Sequence, residues 1–188
     1  MKPVRLALYR SADEQTAAVS AGVGLACPTG CGMCCIRTPP HVSIADMAPI
    51  ARAAIAAGEG EALLDRARAT GAGPCVLFAP GQLPGGCTVY AIRPIICRLF
   101  AFAAVRDKHG ALELAVCREH TAVDPDAPVR ARAYLAAGNP APVFAEYQSE
   151  AHDPDDGPAD LIPINDALAA ALERELLRAQ FSGLKPEA

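Results

Sequence analysis

The sequence lacks tryptophan, and aromatic residues make up only 5% of its 188 positions, although 52% of the residues are hydrophobic. Because aromatic side chains supply much of the buried area in most cores, this core has to be built from small aliphatic side chains. A chain of this length normally forms one domain. We therefore expect a single domain over residues 1–188, stabilised by something in addition to side-chain packing.

An excess of positive charge is also missing, since 17 Lys and Arg face 21 Asp and Glu and the formal net charge is −4. General nucleic-acid binders and proteins of basic membrane surfaces carry clustered positive charge. The composition therefore predicts no nucleic-acid partner and no membrane association, and it identifies no protein partner.

Long apolar runs are absent as well. Near the N-terminus, Arg10, Asp13 and Glu14 interrupt the apolar stretch that an export signal needs. The longest uncharged segment, residues 15–36, contains several glycines and a proline, which is typical of a loop and not of a transmembrane helix. We expect a cytoplasmic protein, and in that reducing compartment patterned cysteines bind metal or do redox chemistry more often than they form disulfides.

The sequence contains eight cysteines. Four of them fall in one short segment with glycine and proline between them, which lets the backbone turn sharply around a small object. Thiolates are soft donors that select zinc or iron–sulfur chemistry over magnesium or calcium. The sequence therefore predicts a zinc ion or a [4Fe-4S] cluster as cofactor. The candidate metal ligands are Cys27, Cys31, Cys34, Cys35, Cys75, Cys87, Cys97 and Cys117.

Eight thiols divide naturally into two sets of four. Cys34 and Cys35 are adjacent, and neighbouring residues in extended backbone point to opposite sides, so they are expected to serve two adjacent sites, or one site beside a non-ligating pair. Three interpretations of the cysteines stay open: structural zinc, an iron–sulfur cluster with an electron-transfer or catalytic role, and unligated core or disulfide cysteines. No catalytic residue is assigned.

Other residues near the cysteines are candidates for supporting roles. Arg93 and Arg98 are predicted to bind the cofactor, because guanidinium groups hydrogen-bond sulfur and lower thiol pKa values. His120 follows Cys117 by three residues and could replace one thiolate, although we expect it to be a surface histidine.

The order of the cysteines resembles a bacterial cysteine-cluster family known for its CxxCxxCC motif. The similarity is carried by Cys27-x3-Cys31-x2-Cys34-Cys35, by the later cysteines and by the segment Tyr90-x2-Arg93-Pro94-x2-Cys97-Arg98. It covers residues 27–120, and the first spacing is three residues where the family name implies two. The resemblance implies zinc or iron chelation. A larger relative, the flagellin lysine N-methylase, carries a similar cluster, so the alternative function is an iron–sulfur redox or protein-modifying enzyme.

The predicted fold is a small, mainly helical α+β domain with a minimal β-hairpin around a cysteine-rich metal centre. The metal-binding core is expected over 27–120, a wrapping coil over 121–160 and a C-terminal helix over 161–182. The coil is expected to contain one helical turn, at 129–137. The hairpin is predicted to pair residues 75–78 with 87–90, since both runs are β-prone and turn residues separate them.

Helix positions follow from capping and periodicity. A capping box at Ser11 predicts a short helix that ends near Gly22, and Ser43 predicts a helix over 44–57. Two further helices are predicted, one over residues 59–70 and a short one after Pro94 that presents Cys97. The terminal helix is expected to be capped by Asn165. Its apolar residues step by four, as Ile164, Leu168, Leu172 and Leu176.

Overall fold

The computed structural model describes residues 3–28, 30–81, 86–153, 155–156 and 158–182. It is a mainly helical α+β fold, as predicted. The helices are α1 (Pro3–Val23), α2 (Met33–Ile36), α3 (Ile44–Ala56), α4 (Gly60–Thr70), α5 (Ile95–Leu99), α6 (Arg118–Val123), α7 (Ala127–Ala136), α8 (Phe144–Ala151) and α9 (Ile164–Ser182). The strands are β1 (His41–Val42), β2 (Ala104–Arg106), β3 (Leu112–Leu114) and β4 (Ile162–Pro163).

The chain divides into two compact units. Unit 1 comprises Met1–Cys31 and Ile95–Ala151, and unit 2 comprises Gly32–Pro94 and His152–Ala188. Each unit is described by itself below, and the expectation of one domain over 1–188 stays a prediction.

Unit 1 is built around the long helix α1, which packs on α5, α7 and α8. Strands β2 and β3 form an antiparallel hairpin with Val105 opposite Glu113. The predicted helix start at Ser11 is wrong, because Ser11 lies inside α1 and its hydroxyl bonds the Tyr147 hydroxyl at 2.7 Å. The Ser11 side chain, which the sequence pattern assigned to a helix cap, therefore makes a tertiary contact with α8 instead.

In unit 2, α3 and α4 both pack on α9. The predicted N-cap at Ser43 is confirmed, and it forms a full capping box. The Ser43 hydroxyl accepts from the Asp46 backbone N–H, and the Asp46 carboxylate accepts from the Ser43 backbone N–H. Strands β1 and β4 pair in antiparallel fashion, with Val42 opposite Ile162. Along α9, Leu168 and Leu172 are fully buried, as their spacing predicted.

Two sequence predictions of secondary structure are corrected. The wrapping coil over 121–160 is wrong where α8 lies, although α7 falls on the helical turn predicted at 129–137. Tyr147 and Ala151 of α8 are buried in the core of unit 1, a long-range contact that local sequence does not encode. The hairpin of 75–78 with 87–90 is reduced to a single bridge between Phe78 and Cys87, and the two-stranded hairpin of the fold is β2–β3. Within the described ranges, no helix has both the length and the apolarity needed to cross a bilayer.

Candidate metal centre

The eight cysteines are shared equally between the two units. None of the eight forms a disulfide bond with another described residue. Unit 1 contains Cys27, Cys31, Cys97 and Cys117. Unit 2 contains Cys34, Cys35, Cys75 and Cys87. The boundary falls between Cys31 and Gly32, so it cuts through the N-terminal cysteine segment that looks continuous in the sequence.

In unit 2, Cys34 and Cys35 lie in the single helical turn α2, for which Gly32 is the N-cap residue. The premise that this pair sits in extended backbone is therefore wrong. Successive side chains of a helix are about 100° apart, because 3.6 residues complete a turn. The two thiols thus emerge on neighbouring faces of the turn, and not on opposite sides of a strand.

A close packing contact places α2 beside the segment that carries Cys87. A Cβ atom at Gly32 would lie 1.8 Å from the Phe78 ring, and one at Gly86 would lie 2.3 Å from it. Phe78 also forms the bridge to Cys87. Both glycines are needed because the ring occupies the space that any larger side chain would fill.

The thiols of unit 2 influence one another. The Cys75 backbone N–H donates to the Cys35 carbonyl at 2.8 Å. A hydrogen bond from the Cys35 thiol lowers the pKa of Cys34 to about 7, helped by backbone N–H groups and by the charge of Arg93. Burial raises the pKa of Cys75 to about 11, and the charges of Cys87 and Cys34 add to that increase. Cys34 is therefore the thiol that ionises most readily of these two.

Asn165 fixes the loop before Cys75, a role that sequence reasoning missed. The predicted cap is wrong, because Asn165 lies inside α9 and is fully buried. Its Nδ2 donates to the carbonyls of Gly71 at 2.8 Å and Pro74 at 3.0 Å, and its Oδ1 accepts from the Val76 N–H at 3.0 Å. The sequence did contain a signal for this role, because Asn165 is a polar residue on the apolar stripe of a predicted helix.

The cysteines of unit 1 lie in the loop after α1, in α5 and at the start of α6. The Cys31 N–H donates to the Pro28 carbonyl at 2.9 Å, Cys97 lies in α5, and Cys117 is the N-cap residue of α6. Cys27 is exposed, whereas the other three are half-buried. The prediction that Pro94 precedes a short helix presenting Cys97 is confirmed.

His120 lies in α6 and is only 5% exposed, so the expectation of a surface histidine is wrong. Its ring packs against the Phe102 ring, with the ring centroids 5.6 Å apart and the ring planes tilted by 41°. Burial lowers the pKa of His120, because it disfavours the charged imidazolium. Within the described part of the chain, neither ring nitrogen has a hydrogen-bond partner. In the sequence, only the spacing of three residues from Cys117 indicated that His120 has a role beyond that of a surface residue.

The two arginines predicted to bind the cofactor occupy different environments. Arg93 stacks at 3.6 Å over the Tyr90 ring, and its charge contributes to the lowered pKa of Cys34. Arg98 is buried, forms an ion pair with Asp13 at 2.6 Å and stacks at 4.0 Å over the Tyr9 ring. Arg98 thus joins α5 to α1. Cofactor binding by either arginine stays a prediction.

The family model CxxCxxCC, described as "Putative zinc- or iron-chelating domain", matches residues 26–122, about half of the chain. The chain belongs to the CxxCxxCC family. The matched range contains all eight cysteines and His120. Searches of curated proteins and of solved structures find no match. Membership supports metal binding as the function of this protein.

The donors of this CxxCxxCC domain fit a zinc or iron centre in their chemistry. Among the residues that the structure describes, no group of three or more His, Cys, Asp or Glu side chains is arranged to hold a metal ion. The available thiols are nevertheless soft donors, and Cys34 ionises near neutral pH. The buried ring nitrogens of His120 are further potential ligand atoms, and no described group is hydrogen-bonded to them.

Proposed function

We propose that the protein holds two metal centres through thiolate ligands, one in each unit. The observation that carries this proposal is the division of the eight cysteines into four and four between the two compact units. Four ligands complete the tetrahedral coordination of a structural zinc ion. The four thiols of unit 2 support the proposal further, because the charges of Cys87 and Cys34 both act on Cys75.

Zinc is the first candidate for the bound ion. A core with few aromatic residues has little burial energy for its length, and a structural zinc ion adds folding free energy directly. A [4Fe-4S] cluster is the second candidate, because it also takes four cysteine thiolates. When bound, zinc would cross-link the segments that carry the ligands. In unit 2 these are α2, the loop fixed by Asn165 and the segment at Cys87.

The test is the metal and acid-labile sulfide content of protein purified without air. We expect a colourless protein with two zinc ions per chain. Iron and sulfide in a brown protein would favour the cluster instead, and protein with neither metal nor sulfide, whose thiols all react freely, would contradict metal binding.

Paired cysteine substitutions test the division into two sites. Cys75→Ser with Cys87→Ser should remove the ion of unit 2 alone, and Cys97→Ser with Cys117→Ser should remove that of unit 1 alone. Each double variant is the matched control for the other, because it changes the same number of thiols and leaves four in the other unit. Loss of both ions from either variant would contradict independent sites.

A further inference from the structure

A small cavity in unit 1 lies between β3, α6 and α7. Its volume is about 210 Å³, which is less than the about 300–1,000 Å³ of sites for drug-sized molecules. Its apolar wall is formed by Leu114, Val116, Pro128 and Ala131. Leu114 and Ala131 belong to the hydrophobic core of the unit, so the cavity reaches that core. A ligand of this cavity therefore has to be small and to carry an apolar group.

Two side chains of opposite charge also line the cavity, Glu113 of β3 and Arg132 of α7. Both are exposed, and within the described residues neither side chain forms an ion pair or a hydrogen bond. Arg130, on the same helix as Arg132, is by contrast paired with Asp124. The cavity thus offers one carboxylate and one guanidinium that do not neutralise each other.

Thr121 of α6 adds a hydroxyl group to the same wall. This hydroxyl donates to the Cys117 carbonyl at 3.4 Å and is part-buried. Because a hydroxyl has one hydrogen and two acceptor lone pairs, the Thr121 oxygen can still accept from a ligand N–H. The polar part of the cavity therefore combines two acceptor groups, Glu113 and Thr121, with one donor group, Arg132.

We propose that this cavity binds a free α-amino acid with an aliphatic side chain. The ammonium group of the ligand donates to Glu113 and Thr121, and its carboxylate accepts from the Arg132 guanidinium. Its side chain packs against the apolar wall and is removed from water there. A ligand with a single charge would leave Glu113 or Arg132 unmatched, whereas a zwitterion matches both. The binding involves no metal ion, so it is independent of the proposed function.

L-leucine is the probe, titrated into the isotope-labelled full chain and followed by the NMR shifts of the Leu114, Thr121 and Ala131 amides. We expect saturable shifts with millimolar affinity, since exposed ion pairs contribute little. Isocaproate lacks the ammonium group of leucine, and isoamylamine lacks its carboxylate. Each analogue should bind at least about three-fold more weakly than leucine, because it loses one ion pair.

Charge-neutralising variants assign each charge of the ligand to one side chain. Glu113→Gln should weaken leucine and isoamylamine about three-fold and leave isocaproate unchanged. Arg132→Gln should weaken leucine and isocaproate by the same factor and leave isoamylamine unchanged. Glu150→Gln and Arg10→Gln are the matched controls, because they remove the same charges at exposed positions of unit 1 outside the cavity.

Absence of saturable shifts at these amides with millimolar L-leucine would overturn the inference. Equal affinities of leucine, isocaproate and isoamylamine would overturn it too, because binding would then depend on the apolar wall alone. Metal content is measured on the same samples. A chain that binds leucine but no metal would contradict the proposed function and support the amino-acid site, whereas a chain that binds metal but not leucine would do the reverse.

Discussion

At the scale of single residues, the reactivity of Cys34 follows from its surroundings in unit 2. The Cys35 thiol donates a hydrogen bond to it, backbone N–H groups point at it, and Arg93 places a positive charge nearby; together they bring its pKa to about 7 against the opposing effect of burial. The thiolate is both the nucleophile and the metal ligand. The lowered pKa favours the Cys34 thiolate near neutral pH, even without metal.

The contribution of Arg93 can be measured on metal-free protein. Removing its positive charge with Arg93→Ala destabilises the Cys34 thiolate, so the pKa rises and alkylation of Cys34 at pH 7 should slow roughly two-fold. The measurement is the pH profile of iodoacetamide labelling at Cys34, read by peptide mass spectrometry. Arg66→Ala, which removes the same charge from an exposed position on α4, is the control. A profile unchanged by Arg93→Ala would show that its charge does not reach Cys34.

Asn165 is expected to matter more than an ordinary residue of α9. In Asn165→Leu the carbonyls of Gly71 and Pro74 lose their donor and the Val76 N–H loses its acceptor. These three backbone groups are part-buried, so each costs less than the about 1–3 kcal/mol of a fully buried group left without a partner, and we expect a total loss of about 2–4 kcal/mol in the free energy of unfolding.

Urea denaturation measures that loss, and zinc content reports whether the variant affects the metal binding proposed for the Cys75 loop. The matched control is Asn139→Ala, since the Asn139 amide makes one exposed bond to the Tyr134 carbonyl at 3.0 Å. Equal stability of the two variants would contradict the role given to Asn165.

At the scale of elements, local signals predicted some helices and tertiary contacts decided others. The Ser43 capping box and the apolar face of α4 are local signals, because each is formed by residues only a few positions apart. For this reason α3 and α4 were predicted correctly. α8 was missed because its burial depends on Tyr147, which meets Ser11 across 136 residues of sequence. Its 8 residues carry no cap or glycine stop that would have marked it.

The candidate site was predictable in composition but not in arrangement. Cysteine counting predicted two sets of four thiols, yet the boundary between Cys31 and Gly32 depends on how distant segments pack. His120 was expected at the surface because the aromatic contact that buries it, with Phe102, is not visible in a local pattern. The sequence shows which types of ligand are present, whereas the fold determines their environments.

The capping box of α3 offers a quantitative test of local structure. Ser43→Ala removes the hydroxyl that accepts from the Asp46 N–H at 3.1 Å, and loss of an N-cap side chain costs about 0.5–2 kcal/mol. Thermal unfolding should show that destabilisation, whereas Ser149→Ala, at an exposed position of α8, should have little effect. A melting temperature equal to that of the wild type would argue against the cap.

The contact between Gly32 and Phe78 is expected to couple α2 to the Cys87 segment. In Gly32→Ala the new methyl group would lie 1.8 Å from the Phe78 ring, so the ring must move, at a cost of about 1–3 kcal/mol for overpacking. Zinc binding by unit 2 should weaken in parallel. Chemical denaturation and zinc titration measure the two effects.

A double-mutant cycle shows whether that cost arises at the ring. Phe78→Leu shortens the side chain, so the double variant should lose less stability than the sum of the single variants, by at least about 0.5 kcal/mol. Strict additivity would mean that Gly32→Ala acts elsewhere, for example through the backbone at the start of α2.

At the scale of the whole molecule, long-range polar contacts add to a core of small side chains. Arg52 of α3 bonds Glu175 of α9 at 2.9 Å and Asp156 at 2.5 Å. These carboxylates are nearly buried, so the contacts hold the segment before β4 against the helices of unit 2. Such ion pairs, together with metal binding, add folding stability that a core with 5% aromatic residues does not supply by burial alone.

Removal of the metal should therefore destabilise the entire fold. An ion that binds only the folded chain contributes about 4 kcal/mol when its free concentration is 1,000 times Kd, and for a chain of this size 1 kcal/mol shifts the melting temperature by about 2–4 °C. A chelator stronger than the protein should lower the melting temperature by more than about 10 °C, measured by far-ultraviolet circular dichroism. Zinc added back should restore it, whereas calcium, which prefers oxygen ligands, should not. Identical melting curves with and without chelator, on protein shown to have lost its metal, would mean that the thiols bind metal for a purpose other than holding the fold together.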